Sequence, residues 1–398
     1  MTIRSTSLRL RLFSAAILLT ASAGILLWKW SAQSTTTAEA DRSARAEQLV
    51  QRAAQAARSG RSTAARNYYQ QALELDGNNQ QALLHTASAL QQDGRLQEAS
   101  ALLDRITTAP HPLLAKVRFL QATIALQQHR AVAAEKLFLE AAHLDPDWTP
   151  PLRDLLPLYA VQQRSEQLLQ TLARLESQRP LTTTELAMRL LSANPLVPED
   201  TAARQLQQCL TADPQDELSL RALLLIRLTA GQPAAALQML NQHSSVESRS
   251  TTLQQLRLLL QIHSGETQFT SPWLQQLQMQ PSASSDALHA ALRHPLVRTT
   301  PKLRLAVARV LQHRQPWSPT ASHELAEALQ NADDTPAATR QHSITRKLDQ
   351  LELLAWRVFR PQAAIPEMAL PLYLEISSLL QEVGNYEESL KWLVAAES

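Results

Sequence analysis

Eleven histidines, one cysteine and a few adjacent carboxylates are the side chains of this 398-residue sequence whose types could do chemistry. A zinc helix needs a second histidine four places after the first, and Glu327 stands four places after His323. His289 and His294 are five apart, a spacing that does not share one helical face well. These histidines read as solvated or turn residues. Asp333-Asp334 and Glu387-Glu388 read as a turn and an exposed helix start, where carboxylates serve as caps or solvated faces. Cys209 is alone, so no intramolecular disulfide can form, and cysteine usage does not report the compartment. Neither a G-x-S-x-G elbow, a P-loop nor a G-x-G-x-x-G turn occurs, and the seven glycines are too scattered to build a phosphate cradle. We therefore expect no catalytic, cofactor-binding or metal-binding residues, and a protein that is not an enzyme.

The elements that would carry any site are helical. Apolar residues make up 44% and aromatics 4%, and Ala, Leu and Gln dominate. Alternating runs of β-branched residues are nearly absent. The fold class expected is all-α. Net charge is +2, but Arg4, Arg9, Arg11 and Lys29 are the only charges of the first thirty residues. Without them the body holds 34 basic against 36 acidic side chains, so it has no electrostatic footprint for nucleic acid.

Glycine and proline keep a 34-residue beat. Gly60 and Gly94 are 34 apart, as are Gly231 and Gly265, and so are Pro146, Pro180 and Pro214. Gly384 sits in the same local context. A period of that length means stacked helical hairpins. The stretch Ala46–Asn79 resembles a tetratricopeptide repeat, with the turn at Gly60, small residues at Ala53, Ala65 and Ala72, and Tyr69 beside them. Residues 80–112 repeat it with Ala87, Gly94 and Ala99. Residues 115–148 repeat it with Ala122, Ala134, Phe138 and Ala141, His129 replacing the turn glycine. The match is weaker over 149–284, where Cys209 falls at a small buried position and reads as a packed thiol. It is absent over 285–368, where apolar spacing still predicts helices near 286–294, 301–313, 320–331 and 336–360. It returns over 370–398. Tyr68, Tyr69, Phe138 and Tyr386 fall at core positions.

The resemblance implies a right-handed superhelical solenoid of helix-turn-helix hairpins whose first helices form a concave, partner-binding wall. Carried onto this sequence, the wall begins with Glu47, Val50 and Arg58. It continues through Gln81, Leu84, Ser88, Gln91 and Gln92, then Lys116, Phe119, Thr123 and Gln127, then Arg153 and Arg221. Family members that clamp a C-terminal carboxylate need lysine and asparagine where Val50, Ala54, Leu84 and Ser88 stand, so that mode is not expected. A mixed wall of Gln, Leu, Phe and a few cations suits an extended peptide or a partner helix, unless these residues simply face solvent.

Leu12–Trp28 is an uncharged run of 17 residues, near the short limit for a transmembrane helix, with Trp28 and Trp30 bracketing Lys29. The arginines before it orient the N-terminus toward the cytoplasm and the body outside, on the periplasmic side of a bacterial envelope. Ala21-Ser22-Ala23 offers the competing reading of a cleaved signal peptide and a secreted soluble adaptor. The layout expected is an anchor over 1–30, a flexible linker over 31–42, a repeat solenoid over 43–284, a diverged helical region over 285–369 and a terminal hairpin over 370–398. The function expected is a membrane-anchored extracytoplasmic scaffold for a protein or peptide partner. The alternative is the substrate-recruiting part of a larger enzyme or enzyme complex. A last hairpin without a capping helix would pair its end with another surface or belong to a longer product.

Overall fold

The fold is given by a computed structural model that describes residues 40–264, 285–360 and 366–397. Every regular element among the described residues is a helix. The apolar run Leu12–Trp28, residues 31–39 of the expected linker, and Gly265 all lie outside the described residues. Residues 40–42 already belong to the first helix. Among the described residues no helix is long and apolar enough to cross a membrane.

The described residues fall into two compact units, divided between Gln121 and Ala122. In the first, α1 (40–58) pairs with α2 (Ser62–Leu75), and α3 (Gln80–Gln92) pairs with α4 (Leu96–Leu103). The helix α5 (His111–Gln127) contains the division between the units. Alanines carry this core: Ala46, Ala53 and Ala56 of α1 meet Ala65 and Ala72 of α2 and Ala82 of α3, with Val50 and Tyr69 filling the wider gaps. A methyl group at each crossing lets the helix axes approach closely. Tyr69 stacks on His85 with ring centroids 4.4 Å apart.

The second unit continues with α6 (Ala131–Leu144), α7 (Pro150–Val161), α8 (Ser165–Glu176) and α9 (Thr183–Leu190). Then come α10 (Glu199–Ala212), α11 (Glu217–Thr229), α12 (Pro233–Gln242), the single turn α13 (Ser244–Glu247) and α14 (Thr251–His263). Beyond these lie α15 (Ser285–Arg293), α16 (Pro295–Thr299), α17 (Pro301–Arg314), α18 (Pro319–Asn331), α19 (Thr335–Val358), α20 (Pro366–Glu382) and α21 (Tyr386–Glu397).

The hairpins share one joint. Gly60, Gly94, His129, Gln163, Gly231, Asp333 and Gly384 all have positive φ, from 52° to 84°. In each, the turn residue's N–H donates to the carbonyl three residues back, and the next residue's N–H donates to the carbonyl five back. This is the Schellman ending, which satisfies carbonyls that the helix leaves open. A Cβ at Gly94 would meet nothing within 4 Å, so the glycine is needed for its backbone alone. We expect Gly94→Ala to cost about 1–2 kcal/mol, and His129→Gly to gain a similar amount less its added unfolded-state entropy. Urea denaturation of the two variants checks both signs.

The same joint shows where the repeat survives. Asp333 lies three periods of 34 after Gly231, inside the region whose sequence had lost the pattern. The N-caps agree. Thr182, Asp216 and Ser250 lie 34 residues apart and Ser318 two periods further on, each accepting the N–H three residues ahead. Thr182 and Glu185 add a reciprocal capping box. Polar caps, rather than glycine or apolar register, hold the period there.

One feature of the second unit is invisible in the repeat pattern. Its helices return on themselves: α19 and α21 both pack against α9. The contact is ionic and buried. Arg189 of α9 donates to Glu388 of α21 at 2.8 Å and to Glu176 of α8 at 2.8 Å. Lys391 joins from α21, 2.9 Å from Glu176 and 3.4 Å from Glu388. Burial raises the Glu176 pKa, but the bonds from Arg189 and Lys391 outweigh it and hold the carboxyl below its ordinary value. Glu388 is 4% exposed, which corrects its reading as part of a solvated helix start; its partner stands 199 residues away in sequence. Tyr386, expected in the core, is instead 71% exposed. The side chain that fills that core is Trp392.

Candidate functional site

The side chains assigned to the concave wall fall into both units. In the first, Gln81 and Gln92 of α3 are exposed, and Ser88 and Gln91 are half-buried. Leu84 is 6% exposed, as is Val50 at 5%; both are spent on helix packing rather than offered to a partner. Gln92 lies beside the Arg66–Asp93 ion pair, its Oε1 3.4 Å from Arg66 Nη2. Arg58 is exposed and turns back on the Ala54 carbonyl of its own helix, and Glu47 is exposed. Lys116 is exposed and Phe119 half-buried on α5. In the second unit Thr123 is half-buried and Gln127 exposed, while Arg153 is exposed with Asp154 3.8 Å away.

A recess of the second unit lies elsewhere. A cavity of about 720 Å³ is bounded by the α7–α8 turn, the segment after α9, α11, α14, α15 and Gln315. That volume lies within the range of ligand pockets. Of the wall residues only Arg221 lines it. Arg164, Glu166, Asn194, Leu225, His263, His289 and Arg293 complete its character: guanidinium groups and amides over a leucine floor.

Each cation is held in place. Arg164 lies 2.6 Å from Glu135 Oε2 and stacks over Tyr159, 4.7 Å from the ring centroid. Tyr159 donates to the other oxygen of Glu135 at 3.1 Å, and burial followed by the Glu135 charge pushes its phenol pKa far up. Arg221 Nη1 is 3.4 Å from the Gln162 carbonyl. Arg293 lies 3.1 Å from His263 Nε2. A guanidinium keeps its protons, so that imidazole nitrogen must accept and the ring is neutral. Burial first, then the Arg293 charge, lower the His263 pKa.

That shift has a sign. A histidine whose folded pKa lies below its unfolded value costs stability as pH falls through about 6.5, because the unfolded chain takes the proton first. His85 shifts the same way for the same first cause, burial. We expect the thermal midpoint to drop between about pH 7.5 and pH 5.5, and His263→Gln to shrink that drop. Melting curves of both proteins at the two pH values decide it.

Arg164 was legible in a signal that the wall pattern passes over. The residue after the turn is arginine in four successive joints, Arg61, Arg95, Arg130 and Arg164. Arg293 and His263 had no such signal, since they meet only through the packing of α14 on α15. Cys209 is half-buried and its thiol pKa is raised, by burial and then by the Asp216 charge, which suits a packed thiol rather than a nucleophile. Among the described residues no cluster of His, Cys, Asp and Glu has the grouping of a metal site.

Residues 56–124, which run from the end of α1 into α5, match the family model described as tetratricopeptide repeat. No curated protein matches the sequence. Solved structures resemble it distantly. One is the APC/C hetero-tetramer Cut9–Hcn1, at 12% identity over 89% of this chain and 76% of that one, with a TM-score of 0.37. A tetratricopeptide repeat protein from Parabacteroides merdae ATCC 43184 matches at 13% identity over 76% and 99%, with a TM-score of 0.24. The P58(IPK) TPR domain matches at 11% identity over 89% and 99%, with a TM-score of 0.23. Likenesses of this grade transfer neither a partner nor an activity.

Proposed function

We propose that this protein is a scaffold or adaptor that receives a segment of a partner protein against its hairpin repeats and carries out no reaction of its own. The observation behind the reading is the recess of the second unit, where leucines, side-chain amides and arginines converge in a volume suited to a peptide segment. Amides and guanidinium groups can bind a main chain or its polar side chains, while the leucine floor takes apolar ones. The tetratricopeptide-repeat match over residues 56–124 supports the same role. The apolar run Leu12–Trp28, preceded by three arginines, supports a membrane tether with the body on the extracytoplasmic side.

The test is cross-linking pull-down from membranes with the full chain and with Leu228→Arg, a change at a part-buried leucine that lines the recess. A partner captured by the first and lost by the second is the expected result. Equal capture by both would remove the recess from the function. Fractionation of a form lacking residues 1–30 tests the tether: it should leave the membrane while the full chain stays there.

A further inference from the structure

Three helices each turn one face into the recess of the second unit. Leu218, Arg221, Leu225 and Leu228 recur every three or four residues along α11 and so share a face. Ser285, His289 and Arg293 do the same on α15, and Leu259 and His263 on α14. The α11 face is mainly leucine, whereas the α15 face is wholly polar. Leu218 and Leu228 stand about 15 Å apart along the helix, which is room for about three turns of a partner helix. The charged groups differ in what holds them. Arg164 meets Glu135, and Glu166 lies 3.7 Å from Arg314. Arg221 leans toward the carbonyls of Gln162 and Gln163, 3.4 Å and 3.5 Å away at the C-terminal end of α7. Arg293 stands apart. It is exposed, it pairs with no carboxylate among the described residues, and its side-chain partner there is the neutral His263 ring. Glu217 does not answer it. That carboxylate accepts from Ser250, which precedes α14, whereas His263 ends α14 about 20 Å further along.

Resting on the recess reading above, we propose that the partner segment received there is acidic and amphipathic. Its apolar edge lies on the α11 leucines, and its Asp or Glu side chains lie at the Arg293 end. A guanidinium offers a planar fork of N–H donors that a carboxylate meets with two parallel bonds, whereas a neutral imidazole nitrogen accepts only one. A neutral or basic segment would shut water away from Arg293 without supplying a counter-charge, which costs binding energy. A carboxylate supplies it. The acidic edge belongs at the end of the recess away from Glu217, so charge also fixes the direction in which the segment lies.

The test is selection of displayed random segments of about fifteen residues, enough for the three turns and their flanks, on the immobilised full chain in mild detergent. The segments are fused through their C-termini, so that no terminal carboxylate is offered. Enrichment of leucines at helical spacing together with Asp or Glu is expected. Replacing those acids by their amides in the strongest binder should cost about tenfold or more in affinity. Arg293→Gln should abolish that difference and Arg293→Lys should keep part of it, with unchanged circular dichroism in both. An acidic preference that survives Arg293→Gln overturns the proposal, and so does the absence of any enrichment. Leu228→Gln, which removes a leucine without adding charge, separates the two readings. Acid-free segments that lose affinity for Leu228→Gln overturn the acidic partner and leave the recess standing. Segments of any charge that bind Leu228→Gln as tightly as the parent remove the recess and the proposal together.

Discussion

Arg189→Ala is expected to destabilise the protein by about 3–5 kcal/mol, the range for breaking a buried ion pair by removing one partner. The cost arises mainly from what remains. Glu388 and Glu176 each lose a donor, and Glu388 is 4% exposed, so its carboxylate would stay buried with Lys391, 3.4 Å away, as its remaining ion-pair partner among the described residues. One oxygen of Glu388 already lacks a hydrogen-bond partner among the described residues, which leaves no reserve. Urea denaturation gives the magnitude. Limited proteolysis gives the location, because release of α21 from α9 should expose the α20–α21 connection first. A midpoint within about 0.5 kcal/mol of the parent would show that the contact holds nothing. The double replacement Arg189→Met with Glu388→Leu is the control, since an apolar pair of similar volume should recover most of the loss.

Trp392→Ala is expected to have the second large effect, again about 3–5 kcal/mol, by leaving a cavity in a core that cannot close over it. Trp392 is fully buried and meets Tyr373 with ring centroids 5.7 Å apart. Its indole nitrogen has no hydrogen-bond partner among the described residues. Trp392→Phe should therefore cost much less than the alanine change, because it removes an unpaired buried N–H together with part of the ring. Thermal melting of the two variants separates the contributions. Equal losses would mean that the ring volume beyond phenylalanine carries the packing.

The helical class and the hairpin turns were legible because they depend on local chemistry. Glycine at a left-handed joint and alanine at a helix crossing are specified within one repeat, so Gly60, Ala53 and Ala72 announce themselves. His129 could be read as a turn because its neighbours kept the beat. Asp333 was legible as a turn but not as a joint of the repeat, since the apolar register around it had drifted and only caps such as Ser318 kept the phase. The wall was the weaker reading. A repeat pattern assigns a face, but Val50 and Leu84 show that a face assignment does not separate packing from presentation. The recess and the ionic contact were illegible for a further reason. Arg293 meets His263 only through the packing of α14 on α15. Arg189 meets Glu388 through folding of the second unit upon itself, and no spacing within a repeat encodes a meeting across 199 residues.

The return of α21 to α9 alters how the second unit can come apart. A linear stack of hairpins frays from its free ends, each module leaving at a cost set by one neighbour. Here the α20–α21 module is also a neighbour of α9, so losing it strips a contact from the middle of the stack. Erosion from the C-terminal side is thereby coupled to the interior, and cooperativity no longer falls off with distance along the chain. The contact also joins residues far apart in sequence, which raises contact order and assigns its formation to a late, slow step. The second unit should thus assemble as a stack and then lock as a loop.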